Sequence, residues 1–420
     1  MEHAETDLPL KHTRPLVFFA LNLQFGAAIG FMQIAVPFWL AADGLSLAQI
    51  GAISATAFLP HALKILWVPW IDILPNRKRW YLFCALGTAV LVGATSLIPN
   101  PAKHLTLLVV LLTAMQALTA TASAASNALM ATTTRDTDKG RASGYYMAGN
   151  VGGTAILGAL ALWLSSRVSP TVLGLIMSGI VVAAALTVLW VHERVSTQAV
   201  VRSLGAGLVR LKEIFADLWA TAKSRVGFTG ILICALPVGC GALTNLFSAM
   251  APDYQASSDV VVFVNGPGMG ITGGLGSLVG GFLADRMNRR LSYALAGGLT
   301  GLSALVMAMG PMNTTTYAWG TLLYSFANGI AFAAFAAMVL EMVSSGAAVA
   351  TKYALFVAVS NQAISYTTAL DGWGSTLGPG GARGTLLFDF GITMVGIVIL
   401  AGIVLVVRRM KPVEPAPVAA

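Results

Sequence analysis

Charge is scarce in this sequence. Asp, Glu, Lys and Arg together make up 10% of the residues, where a soluble domain carries roughly 25%, so most of the chain has no means of presenting a watery surface. Cysteine is scarcer still. Cys84, Cys234 and Cys240 each fall inside an apolar stretch, with neither metal-ligand spacing nor an even-numbered framework, which argues against a disulfide scaffold and a thiolate metal site. No Walker lysine motif occurs, so the chain encodes no ATP drive. The glycines of Gly266-x-Gly268-x-Gly270 and Gly273-Gly-x-Gly276 lack the preceding strand that a phosphate loop requires. No Ser-His-Asp or zinc arrangement is found, and neither enzyme chemistry nor a cofactor or metal is expected.

What the chain has is apolar length. Hydrophobic residues are 56%, mean hydropathy is +0.77, and the 44 glycines suit helices that pack backbone to backbone in lipid. A spanning helix needs about 20 apolar residues. By that measure about twelve spans are expected, at 15–41, 47–74, 80–99, 104–132, 142–165, 170–191, 226–252, 259–284, 291–311, 315–343, 351–373 and 384–407. The polar segment 1–14 precedes a run too long for a signal peptide, and no cleaved leader is expected. Residues 192–225 carry Leu204, Leu208, Leu211, Ile214, Phe215 and Leu218 at helical spacing among basic residues. That pattern predicts an amphipathic surface helix linking a 15–191 half to a 226–409 half, with a 410–420 tail.

Basic residues cluster on one side of this topology. With both termini inside, 21 of the 25 Lys and Arg fall in inner segments and three, Lys103, Arg167 and Arg383, in outer loops, leaving Lys64 inside a span. Basic loops are retained on the cytoplasmic side, so the expectation is a multi-pass protein of an inner (cytoplasmic) membrane with both termini cytoplasmic. The net charge of +8 then reads as topology and affinity for anionic lipid, not as a nucleic-acid surface.

The chain also repeats itself at half length. Pro69-Trp-Ile-Asp72-Ile-Leu-Pro-Asn-Arg77-Lys-Arg79 and Gly280-Gly-Phe-Leu-Ala-Asp285-Arg286-Met-Asn-Arg289-Arg290 each close an apolar run, their acids 213 positions apart. Arg141 through Asn150 and Lys352 through Asn361 repeat a base and an Asn at equal spacing. These residues resemble the major facilitator superfamily, with Gly280 to Arg290 like its signature loop. The resemblance implies an all-α membrane protein of two six-helix pseudo-repeats that works as a secondary transporter by alternating access. It also implies a gate, in which Asp72 faces the eleventh span near Thr351 and Asp285 the fifth near Ala142 and Ser143, with Arg77, Arg286, Arg289 and Arg290 alongside. Leu59-Pro-His-Ala-Leu-Lys64-Ile-Leu-Trp67-Val-Pro69-Trp-Ile-Asp72 is similar to the second helix of muropeptide permeases (AmpG type) and of related siderophore permeases and acetyl-coenzyme A transporters. Ala350-Thr-Lys-Tyr-Ala-Leu-Phe followed by Ser365-Tyr-Thr-Thr-Ala-Leu-Asp371-Gly-Trp373 is similar to their eleventh. The likeness departs at the fourth helix, where Ala122-Ser123-Ala-Ala-Ser126-Asn127-Ala128 stands in place of two acids.

Ionisable residues inside a span are costly and are functional candidates by default. Lys64 sits eight residues before Asp72, about 12 Å deeper along a helix. It reads either as a cationic wall for a substrate carboxylate or phosphate or as a lysine that snorkels to the surface. His61, three residues away, joins that patch or hydrogen-bonds a neighbouring helix. Asn127, Tyr146, Asn150, Asn245, Asn328, Asn361, Gln362 and Tyr366 are further substrate-binding candidates at span midpoints, with Asn22, Gln33, Gln116 and Asn265 also polar there. Glu341 and Asp389 are candidate proton carriers. The partners expected are a small anionic solute, muropeptide-like by resemblance, membrane lipid and protons, with the protein a monomer. A siderophore, acyl-coenzyme A or drug transporter of the same fold, or a non-transporting receptor or assembly factor, are the other readings. The charge partition predicts that cysteine labelling of intact cells marks a site beside Lys103 but not one beside Arg210; the reverse pattern overturns the topology.

Overall fold

The computed structural model describes residues 12–36, 39–40, 43, 47–73, 76–193, 204–343 and 348–409. Residues 1–11 and 410–420 of the expected tails, and 194–203 of the expected linker, lie outside these. Among the described residues the chain is helical throughout, with no strand. The first half supplies α1 (Leu16–Gly30, continued as a π turn Phe31–Ala35), α2 (Leu47–Leu63), α3 (Pro69–Ile73), α4 (Arg77–Ser96), α5 (Leu105–Thr133), α6 (Lys139–Ser165) and α7 (Pro170–Leu186). After α8 (Leu204–Lys223) come α9 (Arg225–Cys234), α10 (Phe247–Met250), α11 (Ser258–Phe263), α12 (Met269–Arg286), α13 (Arg289–Met309), α14 (Thr314–Val343), α15 (Val349–Gly374) and α16 (Gly381–Arg409).

Three expected spans are interrupted, each for a local reason. The second is not one helix: α2 gives way to a tight turn at Lys64–Leu66 and restarts as α3 at Pro69. Pro60 and Pro69 each remove an amide from the ladder, and a lipid-buried helix accepts that only where neighbours supply the bonds. The seventh ends its first helix at Cys234, because Pro237 and the left-handed Gly239 and Gly241 follow. The eighth bends at Gly266, whose φ and ψ of −93° and −106° leave the helical region just before Pro267. Counted as single interrupted spans, α2 with α3, α9 with α10, and α11 with α12 bring the total to the expected twelve. The outer surface is apolar, with Phe83, Val90, Leu175, Trp319 and Val398 standing exposed where a bilayer would cover them.

Small residues set the interhelical seams. Packing of α1 on α6, of α6 on α12 and of α12 on α14 dominates the interior, and the α6–α12 seam joins the two halves of the sequence. There Gly144 faces Gly281 so closely that a Cβ on Gly144 would lie 2.7 Å from the Ser277 carbonyl oxygen and 2.8 Å from the Gly281 Cα. Both obstacles are backbone, so nothing can swing aside. The α8 helix docks against the same end of the molecule: Ile214 is buried with Ile73 and Ala348, and Asp217 pairs with Lys352 at 2.9 Å. Gly144→Ala should lower stability by about 1–3 kcal/mol, the cost typical of overpacking, measured as the thermal midpoint of the purified protein; an unchanged midpoint would show that the seam is looser than its geometry.

Candidate functional site

Helix N-termini leave amides without intrahelical partners, and at one end of the molecule two carboxylates supply them across the halves. The Asp72 carboxylate accepts from the amides of Ala350 (3.1 Å) and Thr351 (2.9 Å) and from the Thr351 hydroxyl (2.9 Å), at the start of α15. Arg77 pairs with it at 3.2 Å. The Asp285 carboxylate accepts from the amides of Gly140 (2.5 Å) and Arg141 (2.8 Å) and from the Arg141 Nε (3.0 Å), at the start of α6. The contact thus falls two residues before Ala142 and Ser143. Ser143 bridges the halves separately, its hydroxyl donating to the Ala333 carbonyl at 2.7 Å. The hydrogen bond to Asp285 raises the Arg141 guanidinium above its usual value. In the adjoining loop a hydrogen bond from Lys139 holds the Asp136 carboxyl below the usual carboxylate range.

The remaining basic residues of these loops divide. Arg289 reaches Glu341 at 3.0 Å and the Asp136 carbonyl. Arg286 lies instead over the Phe282 ring, its guanidinium carbon 3.8 Å from the centroid. Arg290 borders a lipid-facing groove between α13 and α16. Asn76 and Asn288 cap α4 and α13, accepting from the amide of Arg79 and from those of Arg290 and Leu291. An Asn before an Arg, four and three residues after the two acids, was a legible signal of these caps.

Beyond the clasps, toward the middle of the bundle, lies a cavity of about 570 Å³. Its polar lining is neutral: Gln33 from the π turn after α1, Asn150 and Thr154 from α6, Asn265 from the bend in the eighth span, and Ser325 and Asn328 from α14. Of the expected binding residues, Asn150 and Asn328 are on this wall, and Asn328 also donates to the Gly239 carbonyl at 3.1 Å. Asn127 and Tyr146 are buried between α5 and α6, where the Tyr146 hydroxyl lies 3.0 Å from that of Ser123. Tyr366 donates to the Ala235 carbonyl at 2.5 Å and Asn245 to the Thr368 hydroxyl at 3.2 Å, tying the broken seventh span to α15. Asn361 and Gln362 stand exposed on α15.

His61 bonds a neighbouring helix, its Nε2 lying 2.8 Å from the Gln116 Oε1, with its ring between Phe25 and Phe58. Lys64 occupies the turn where α2 breaks and is 8% exposed. It does not snorkel to the surface, and no carboxylate among the described residues pairs with it. Glu341 is mostly exposed and held by Arg289. Asp389 is buried against a second buried acid, Asp371, in the core of the second half.

The chain matches the profile of the Major Facilitator Superfamily over residues 17–361 and belongs to that family, whose members are membrane transporters. Comparison with curated sequences gives no match. Among solved structures it is similar to FucP, a major facilitator transporter in the outward conformation, with 16% identity over 92% of this chain and 99% of that one, and a TM-score of 0.64. The human organic anion transporter MFSD10 (TETRAN) shares 14% identity over 94% and 100%, with a TM-score of 0.68. A bacterial homologue of the iron transporter ferroportin shares 11% over 94% and 99%, with a TM-score of 0.63.

Asp285→Asn removes a charge-assisted set worth about 1.5–3 kcal/mol, so the ratio of closed to open forms at this end should fall on the order of tenfold to a hundredfold. Cross-linking between cysteines placed on α6 and α12 reads that ratio, and an unchanged yield would leave Asp285 a mere helix cap.

Proposed function

We propose that this protein is a secondary transporter that moves a small anionic solute across the inner membrane by alternating access, its two six-helix halves rocking about the central cavity. The single observation that carries the anionic reading is Lys64. A buried ammonium without a carboxylate partner is costly in lipid, and a solute carboxylate or phosphate would neutralise it. The break at Lys64–Leu66 supports this, because interrupted helices place charged and backbone groups at membrane depth. Neutral donors and acceptors at Asn150, Asn265 and Asn328 would hold the uncharged remainder of the solute.

The positive-inside rule sets the basic end at the cytoplasm. The two carboxylate clasps then act as the inner gate, and the form described here is closed on that side. Glu341, exposed and paired with Arg289, is poorly placed to carry protons through the bundle, which leaves Asp389 as the proton-coupling candidate. Muropeptide-like compounds remain the first solutes to test, on the likeness of the second- and eleventh-helix motifs. Neighbours at 11–16% identity carry the fold and not a substrate.

Lys64→Ala should reduce uptake of an acidic solute into proteoliposomes by at least about tenfold, the loss of one charge-assisted contact. Lys64→Arg should restore it in part, since a planar fork does not replace a compact ammonium. Parental uptake by a folded Lys64→Ala protein would remove Lys64 from the site.

A further inference from the structure

Asp371 and Asp389 lie on consecutive helices, α15 and α16, and both are buried, at 0% and 2% exposure. Their carboxyl groups are within hydrogen-bonding reach of each other. Yet both oxygens of Asp371 and the Oδ2 of Asp389 have no donor among the described residues. Among the described residues no Lys, Arg or His pairs with either. The titratable groups facing the pair from the elements packed around it are Cys240 on the broken seventh span and Tyr324 on α14. The hydroxyl of Thr367, fully buried one turn before Asp371 on the same face of α15, lies beside Cys240 and Tyr366.

Two carboxylates in contact, in a dry site and without a cation, repel each other strongly. One proton resolves the arrangement. It converts one group to a carboxyl that donates to the other, and it halves the buried charge. Position adds a direction. Asp371 lies 20 residues beyond Thr351 on α15, about 30 Å along the helix, and so at the end of the molecule opposite the Asp72 clasp. The broken seventh span runs between the pair and the solute cavity, with Cys240 facing the acids and Thr244 lining the cavity.

We propose that Asp371 and Asp389 form a single-proton site, a carboxyl–carboxylate pair loaded from water at the end opposite the clasps, whose occupancy couples proton movement to alternating access. This rests on the transport reading above. On loading, a hydronium ion gives its proton to one carboxylate oxygen and leaves as water. On release the proton returns to water, and no other group is oxidised, reduced or transferred. Three of the four carboxylate oxygens have no donor among the described residues, so hydrogen bonds from the protein do not account for the pair.

The test uses full-length protein in liposomes and infrared difference spectra recorded across a pH titration, which need no solute. The wild type should show the carbonyl stretch of a buried carboxylic acid, equivalent to one proton per chain and lost on alkalinisation. Asp371→Asn and Asp389→Asn should each shift the band, and the double variant should lose it. In an Ala142→Cys background, labelling at the clasped end should vary over the same pH range and become independent of pH in the double variant. A wild-type spectrum without the band, a band unchanged in the double variant, or labelling that ignores pH while the band titrates would each overturn the proposal. Sodium chloride that abolishes the wild-type band, where choline chloride does not, would make this a sodium site and overturn it too. If the double variant fails to fold, the wild-type titration and salt comparison still decide. A protein that shows the band and the pH-dependent labelling but carries no solute fails the transport reading alone.

Discussion

Two helix N-termini in this protein are completed by carboxylates that belong to the other half of the chain. A helix start cannot be left bare in or near lipid, where water does not reach its amides. Asp72 and Asp285 satisfy that demand only while the halves are together at the basic end. The bond that finishes a piece of secondary structure is therefore also the bond that joins two bodies, and local and global stability cannot be separated there. The glycine seam between α6 and α12 serves the same joint, since Gly144 and Gly281 let the backbones close to the distance at which Asp285 reaches Gly140 and Arg141.

The interior divides its polarity by task. Neutral amides and hydroxyls line the cavity and can exchange partners with a solute at small cost, since each is worth little in a membrane bundle. Charges are held away from it: in clasps at one end, in the acid pair within the second half, and at Lys64 in the turn where α2 breaks.

Much of this was legible in the sequence because membrane folding obeys coarse rules. Apolar length marked the spans, and the repeated acid-to-arginine interval marked the loops that close the halves. The interruptions were harder. Pro60 and Pro69 sit in a run whose composition reads as one span, and whether a proline bends or breaks a helix depends on which neighbour bonds the freed carbonyls. The midpoint polar residues were found as a class, but which of them face a cavity depends on helix rotation. Asn150 and Asn328 do, whereas Asn127 and Tyr146 turn into the α5–α6 contact. Asp371 was visible only as part of a motif, because its partner Asp389 is 18 residues away and the two meet only when α15 and α16 fold back on each other.

The helix between the halves has a mechanical consequence. With Ile214 packed on Ile73 and Ala348, and Asp217 bonded to Lys352, α8 reinforces the joint closed by Asp72, whereas the one closed by Asp285 is reinforced by the α6–α12 glycine seam, Ser143 and Arg289. The two joints then lean on different neighbours although their chemistry is alike. The segment that connects the halves therefore acts directly on one joint, so that it does more than set how far the halves can move apart.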